Sequence, residues 1–244
     1  RRLLEGISRA KDLGLSPADD PAALSAAGCD PDAYAAYERR LRATGNADFG
    51  DLILLPLRLL RGAPDLSRWA HERFRVVLVD EYQDSNVAQF HLLRELAGPE
   101  GYLCVVGDDD QSIYRFRGAE VGNILSFPEA FPGTEIVRLE RNYRSTQAIL
   151  DVAAAVVGRN TGRLGKTLWT EITGGDPVTL ARLADQDDEA AWCARLVRQG
   201  GAMETAILYR TNAQSRAFEE LFFRLGIPYR VVGTVRFYAR EEVK

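Results

Sequence analysis

Long apolar runs are missing from this 244-residue chain, and the absence excludes much. No stretch approaches the roughly 18 consecutive apolar residues that a membrane-spanning helix needs, and the opening RRLLEGISRA lacks the apolar core of a secretion signal. The cytoplasm, with no membrane partner, is the expected location. Cysteine is scarce: Cys29, Cys104 and Cys193 are too few and too far apart for a disulfide framework or a zinc site, and are expected as core thiols. Histidine is scarcer still, and His71 and His91 have no neighbouring Cys or second His with which to hold a metal. Lysine occurs only as Lys11, Lys166 and Lys244, an arginine bias that reflects genome composition. An excess of positive charge is also absent. The formal net charge is −4, so any contact with nucleic acid must be local and not a matter of bulk charge. Internal repeats and low-complexity tracts are not found.

What is present is the composition of a folded chain, 46% hydrophobic and 27% charged, long enough for one large or two modest domains. Residues 1–70 carry apolar positions at three- and four-residue spacing in PDAYAAYERRLRAT and DFGDLILLPLRLL, which predicts helices, with SPADDPAALSAAGCDP ahead of them as loop. From Arg73 the pattern changes. RVVLVD and YLCVVGD are short β-branched runs flanking the helical FHLLREL, so residues 71–134 are expected to form a parallel α/β sheet. A second α/β unit, 135–244, is expected from the strand IVRLE, a long helix opened by Ser145 or Thr146, the run VTLARLA, the acidic helix start DQDDEAAWCARLVRQ, the strand TAILYR, the helix AQSRAFEELFFRLG and the strand YRVVG.

The chemistry lies at the strand ends. In open α/β sheets ligands bind beyond the carboxyl ends of the strands, where VVLVDEYQD places Asp80 and Glu81. Two carboxylates diverging from a strand end can divide the work: one holds a hydrated Mg²⁺ while the other orients a water for attack on a phosphate. Gln83 and Asp84 can extend the polar network; a solvated loop with a capping Asp is the plainer alternative. The next strand ends in GDDDQSIYRFRGA, where Gly107 permits close backbone approach and Gln111 can donate to a phosphate oxygen. Tyr114, Phe116 and Arg117 offer a stacking surface and a cation for bases and phosphates, with ordinary core packing as the alternative for the two rings. A metal-dependent nuclease built on Asp108, Asp109 and Asp110 is disfavoured, because consecutive loop residues point in different directions. In RLERNYRS, Tyr143 can stack on a purine and Arg144 can pair with a terminal phosphate, unless the segment is only a basic surface turn.

These three stretches, in this order, resemble the Walker B, third and fourth motifs of the UvrD/Rep/PcrA-like superfamily 1 DNA helicases, as do NTGRLGKTLWT, AILYRTNAQSRAFEELF and GIPYRVVGTVRFYAREEVK further along. The resemblance implies RecA-like parallel sheets of the P-loop NTPase class, from two motor domains, with the remnant of a helical subdomain at the N-terminus. It implies ATP and Mg²⁺ as cofactors, single-stranded DNA and single-strand/duplex junctions as partners alongside repair or replication proteins, and 3′-to-5′ movement. Position by position, Asp80 would bind Mg²⁺ through water and Glu81 would be the general base. Gln111 would sense the γ-phosphate, Tyr143 would stack on adenine and Arg144 would stabilise the γ-phosphate as a finger. Tyr114, Phe116 and Arg117 would contact DNA, with Phe116 where the family usually has Trp; Arg210 and Asn212 are further DNA candidates. One requirement is unmet. The only Gly-Lys-Thr, Gly165 to Thr167, follows Asn160 where a P-loop needs glycine and is preceded by a helical pattern. The chain is therefore expected to be an internal part of such an enzyme and to hydrolyse ATP negligibly alone, the alternative being a non-catalytic module that binds single-stranded DNA or protein.

Overall fold

The computed structural model describes residues 2–200 and 205–232, and these fall into two compact units divided after Asp176. The first unit opens with five helices: α1 (Arg2–Asp12), α2 (Pro21–Ala26), α3 (Pro31–Ala43), α4 (Asp51–Gly62) and α5 (Pro64–Arg73). Helix α2 occupies part of the stretch expected to be loop. The cause is local: Asp20 and Asp30 each precede a proline, and an acidic cap followed by proline in the first turn is a helix start. Asp20 Oδ1 accepts from the Ala22 amide at 3.1 Å and Asp30 Oδ1 from the Ala33 amide at 2.7 Å. Ile7, Ala10, Leu24, Ala27, Cys29 and Tyr34 then bury one another. Lys11 lies inside the same bundle, 1% exposed, with its Nζ 2.7 Å from Glu38, 2.9 Å from Asp48 and 2.6 Å from Asp51. Burial alone would pull the Lys11 pKa down; the hydrogen bonds that its ammonium donates to Asp51, Glu38 and Asp48 outweigh it, and the charge is held more firmly than in water.

The expected strand, helix, strand unit follows as β1 (Val76–Val79), α6 (Val87–Ala97) and β2 (Tyr102–Val105). The strands pair in parallel with Val76 opposite Tyr102 and Val79 opposite Val105. Asn86 and Gln89 form a reciprocal capping box that starts α6. Beneath the strand ends, α7 (Gly122–Leu125) and α8 (Phe127–Ala130) bring Ile124 and Phe127 onto Tyr82, joined by Val79, Phe90, Leu93 and Val105. The expected strand IVRLE is not one: Val137 and Leu139 stand 72% and 79% exposed, and pairing begins only at β3 (Arg141–Asn142), parallel to β4 (Trp169–Thr170). Between them runs α9 (Gln147–Val157), with Thr146 at the cap position in extended geometry but without a side-chain cap bond.

In the second unit α10 (Gln186–Gly200) and α11 (Ser215–Leu225) pack through Ala194, Val197, Phe222 and Ile227. The expected strand TAILYR and the described part of YRVVG are not strands, and VTLARLA joins no ladder either. An apolar run becomes a strand only when a neighbour takes up its backbone groups; Leu180 and Leu208 are 94% and 90% exposed among the described residues.

Candidate functional site

Parallel pairing brings the carboxyl ends of β1 and β2 side by side, and the ladder continues past both strands through Val106 N to Val79 O at 2.7 Å and Tyr82 N to Val106 O at 3.0 Å. Immediately after β1 the backbone turns sharply. Asp80 Oδ1 accepts from the Glu81 amide at 2.9 Å, and Glu81 adopts φ 51, ψ 39, the only non-glycine with positive φ among the described residues. That conformation costs about 1–3 kcal/mol and persists only where its surroundings hold it. Two residues supply the hold. Tyr82 is buried with its ring edge-on to Phe127 at 5.5 Å, and burial pushes its hydroxyl pKa up to about 12. Gln83, 1% exposed, donates from Nε2 to Glu81 Oε2 at 2.7 Å and accepts at Oε1 from the Asp108 amide at 2.9 Å.

The second strand end completes this chain of bonds. Gln111 Nε2 donates to Asp108 Oδ2 at 2.7 Å, so Glu81, Gln83, Asp108 and Gln111 form one polar line across the two strand ends. Gly107 is needed there for a reason other than approach to a phosphate: a Cβ would lie 2.8 Å from both Gln83 Oε1 and Ile124 Cδ1. A cavity of about 340 Å³ opens beside the line, bordered by Asp80, Glu81, Asp84, Gln89 and Leu93. Burial, then the neighbouring Glu81 charge, raises the Asp84 pKa.

The three consecutive aspartates are engaged elsewhere. Asp110 takes a bidentate pair of 2.6 Å bonds from Arg163, Asp109 Oδ2 accepts from the Leu164 amide at 2.9 Å, and Asp108 forms a salt bridge with Lys166. For Asp108 burial would raise the pKa, but bonds from Lys166 and Gln111 prevail and the carboxyl is held below its ordinary value. Lys166, set aside above as no P-loop lysine, thus acts as a counter-ion at the second strand end. Sequence reading missed this clamp, whose signal is the spacing of Arg163 and Lys166 in NTGRLGKT.

The remaining candidates lie off this line. Tyr114 and Phe116 face each other with centroids 6.0 Å apart, and Phe116 is 69% exposed. The turn Arg115–Arg117 closes at Gly118, φ +87; the Arg117 side chain and residues 233–244 lie outside the described residues. Tyr143 is exposed beside Arg141, whose guanidinium sits 4.8 Å from its ring centroid and 5.5 Å from that of Trp169. Arg144 is exposed, and its amide donates to Asn142 Oδ1 at 2.9 Å. Arg210 and Asn212 belong to the second unit, where the Arg210 and Thr211 amides donate to Gln214 Oε1 ahead of α11. Asp80, Glu81 and Gln111 are therefore brought together, whereas among the described residues the bonds of the line reach neither Tyr143 nor Arg144.

The UvrD/REP helicase N-terminal domain matches residues 1–132 and the UvrD-like helicase C-terminal domain matches residues 137–244. The chain is 43% identical over 262 residues to ATP-dependent DNA helicase UvrD1 of Mycobacterium tuberculosis, an alignment covering 100% of this chain and 34% of the relative. It is 45% identical over 216 residues to DNA helicase II of Escherichia coli, covering 86% and 30%, and 42% identical over 251 residues to ATP-dependent DNA helicase PcrA of Leuconostoc citreum, covering 100% and 34%. The chain spans about a third of the length of these relatives. With family matches on both halves and a Walker B strand end bonded to its third-motif neighbour, this chain belongs to the UvrD-like DNA helicase family, whose domains are RecA-like.

Proposed function

We propose that the chain is part of an ATP-dependent 3′-to-5′ DNA helicase or translocase, and that the line from Glu81 to Gln111 is its means of coupling hydrolysis to DNA. The observation that carries this reading is Gln83, a buried amide that holds Glu81 with one atom and the Asp108 backbone with the other. Glu81 is the general base for the attacking water. Its left-handed backbone and the Gln83 bond fix where its carboxylate points, so little reorganisation remains at the moment of reaction. Gln111, exposed and tied to Asp108, is placed to register a terminal phosphate and pass a change in its position to Glu81. Residues 1–70, 71–134 and 135–244 act as the helical insertion, the back of the first motor domain and the start of the second.

Mg²⁺ fits this strand end. Asp80 has one oxygen committed to the Glu81 amide, leaving the other for a cation-bound water, and no cluster of three or more metal-ligating side chains occurs among the described residues. A hydrated cation held by one carboxylate and the substrate's phosphates suits that donor set, and when bound it would neutralise charge on the phosphate oxygens. Tyr143, with Arg141 against its ring, stacks on adenine, and Arg144 pairs with the γ-phosphate. Tyr114, Phe116 and Arg117 receive single-stranded DNA, with Arg210 and Asn212 adding contacts from the second unit. Single-strand/duplex junctions are the working substrate and the bacterial cytoplasm the setting, in association with the nucleoid and with repair or replication proteins. The test is ATP hydrolysis by the full-length protein with and without single-stranded DNA. Acceleration by DNA is expected; hydrolysis indifferent to DNA would leave this reading without its coupling step.

A further inference from the structure

We propose that Asp12 is a positioning residue that holds the Tyr114–Phe116 turn in register with the acidic strand end, so that a DNA strand seated on the turn is felt at the hydrolytic site. The inference rests on the function proposed above. Asp12 is the last residue of α1, outside every stretch that carried the family resemblance. Its neighbour Lys11 is locked among Glu38, Asp48 and Asp51, which fixes the end of the helix and leaves Asp12 little freedom to swing.

From that fixed point the carboxyl reaches two elements at once. Oδ1 accepts from Asn86 Nδ2 at 2.8 Å, and Asn86 is otherwise fully used: its Oδ1 accepts from the Gln89 amide at 2.8 Å and its own amide donates to Gln89 Oε1 at 2.9 Å. Oδ2 packs against Gly118 so closely that a Cβ there would lie 2.8 Å away. Gly118 closes the turn that presents Phe116, and its φ of +87 makes it the pivot of that turn. On the other side of the joint the Ser85 carbonyl accepts from the Glu120 amide at 2.9 Å and from Asn123 Nδ2 at 3.1 Å. The segment that follows Glu81 is thus stitched to the segment that follows Phe116, and Asp12 closes the seam from a third direction. Burial raises the Asp12 pKa, with the Asn86 bond offsetting part of the rise, so this carboxyl bears a desolvation cost that a mere surface tether would not.

The experiment uses the full-length protein and reads the single-stranded DNA concentration giving half-maximal stimulation of ATP hydrolysis, beside the DNA-free rate and the melting temperature. Asp12→Ala is expected to raise that concentration about tenfold while the DNA-free rate stays within about twofold. Asp12→Asn keeps the acceptor and the shape and is expected to restore wild-type half-saturation. Should Asp12→Ala fold poorly, Asn86→Asp keeps the cap acceptor of α6 but removes the donor to Asp12 and is expected to raise half-saturation likewise. Unchanged half-saturation with a lowered melting temperature, or an asparagine variant no better than alanine, would overturn the positioning role. Phe116→Ala separates the two layers. It is expected to weaken single-strand binding by about 5- to 150-fold; if it does so while Asp12→Ala does not, only the Asp12 role falls, and if neither variant responds, the DNA-facing assignment of the turn falls with it.

Discussion

Two acidic strand ends lie side by side in this protein, and they have been put to different uses. At the first, Asp80 and Glu81 are exposed and carry no cationic partner among the described salt bridges, and Glu81 is held in a left-handed conformation. At the second, Asp108, Asp109 and Asp110 are taken up by Lys166, the Leu164 amide and Arg163. Both are carboxylates just beyond the carboxyl end of a parallel strand, where ligands gather. The difference shows that position in the sheet does not by itself leave an acid open; what matters is whether a counter-ion has already claimed it. Gln83 ties the open end to the neutralised one, and a neutralised, well-anchored loop is a firm reference for its neighbour.

Changing the open end should have the largest effect. Glu81→Gln is expected to lower DNA-stimulated hydrolysis by about 10²–10⁴-fold while ATP binding, followed by fluorescent-nucleotide titration, is retained; near-normal turnover would erase the distinction between the two ends. Next in size is the bridge. Gln83→Leu strands the buried Asp108 amide and is expected to cost about 1–3 kcal/mol of stability by chemical denaturation, with a fall in turnover that leaves nucleotide affinity intact. A loss of stability without the fall in turnover would uncouple the ends. Smallest is the closed end, where Lys166→Met should cost about 1 kcal/mol or less, since both partners retain some solvent. The sign with pH is fixed by the lowered Asp108 pKa. Stability from this pair is fully present above the ordinary value of 3.8 and is lost as pH falls through the lower folded value, so the melting difference between wild type and Lys166→Met should close only in strong acid.

The open end was legible in the sequence because its chemistry is local: an apolar run followed by Asp80 and Glu81 needs no partner to be recognised. The closed end was not, because Arg163 and Lys166 reach Asp110 and Asp108 across more than fifty residues, and no periodicity announces such a pairing. The same divide runs through the fold. Helices declared by apolar spacing and a marked end, such as α6 with its Asn86 cap and α11 with Gly226 after its last turn, follow their sequence patterns, whereas IVRLE and TAILYR show β-branched or apolar runs that acquire no ladder among the described residues. Helix α2 went unread because its Asp20-Pro21 start looks like turn chemistry until Leu24 is seen to be buried. Glu81 gave no sign of its backbone conformation, which only the packing of Tyr82 and Gln83 imposes.

Lys11 has a consequence for how the protein tolerates ionic strength. Mobile ions screen exposed charges over a Debye length of about 10 Å at 0.1 M salt, but they have little access to an ammonium that is 1% exposed. A strand of DNA held by phosphate contacts loosens steeply as salt rises. The joint of α1, α3 and α4 around Lys11 does not share that sensitivity, so a salt step large enough to loosen phosphate contacts of that kind leaves the anchorage of Asp12 in place.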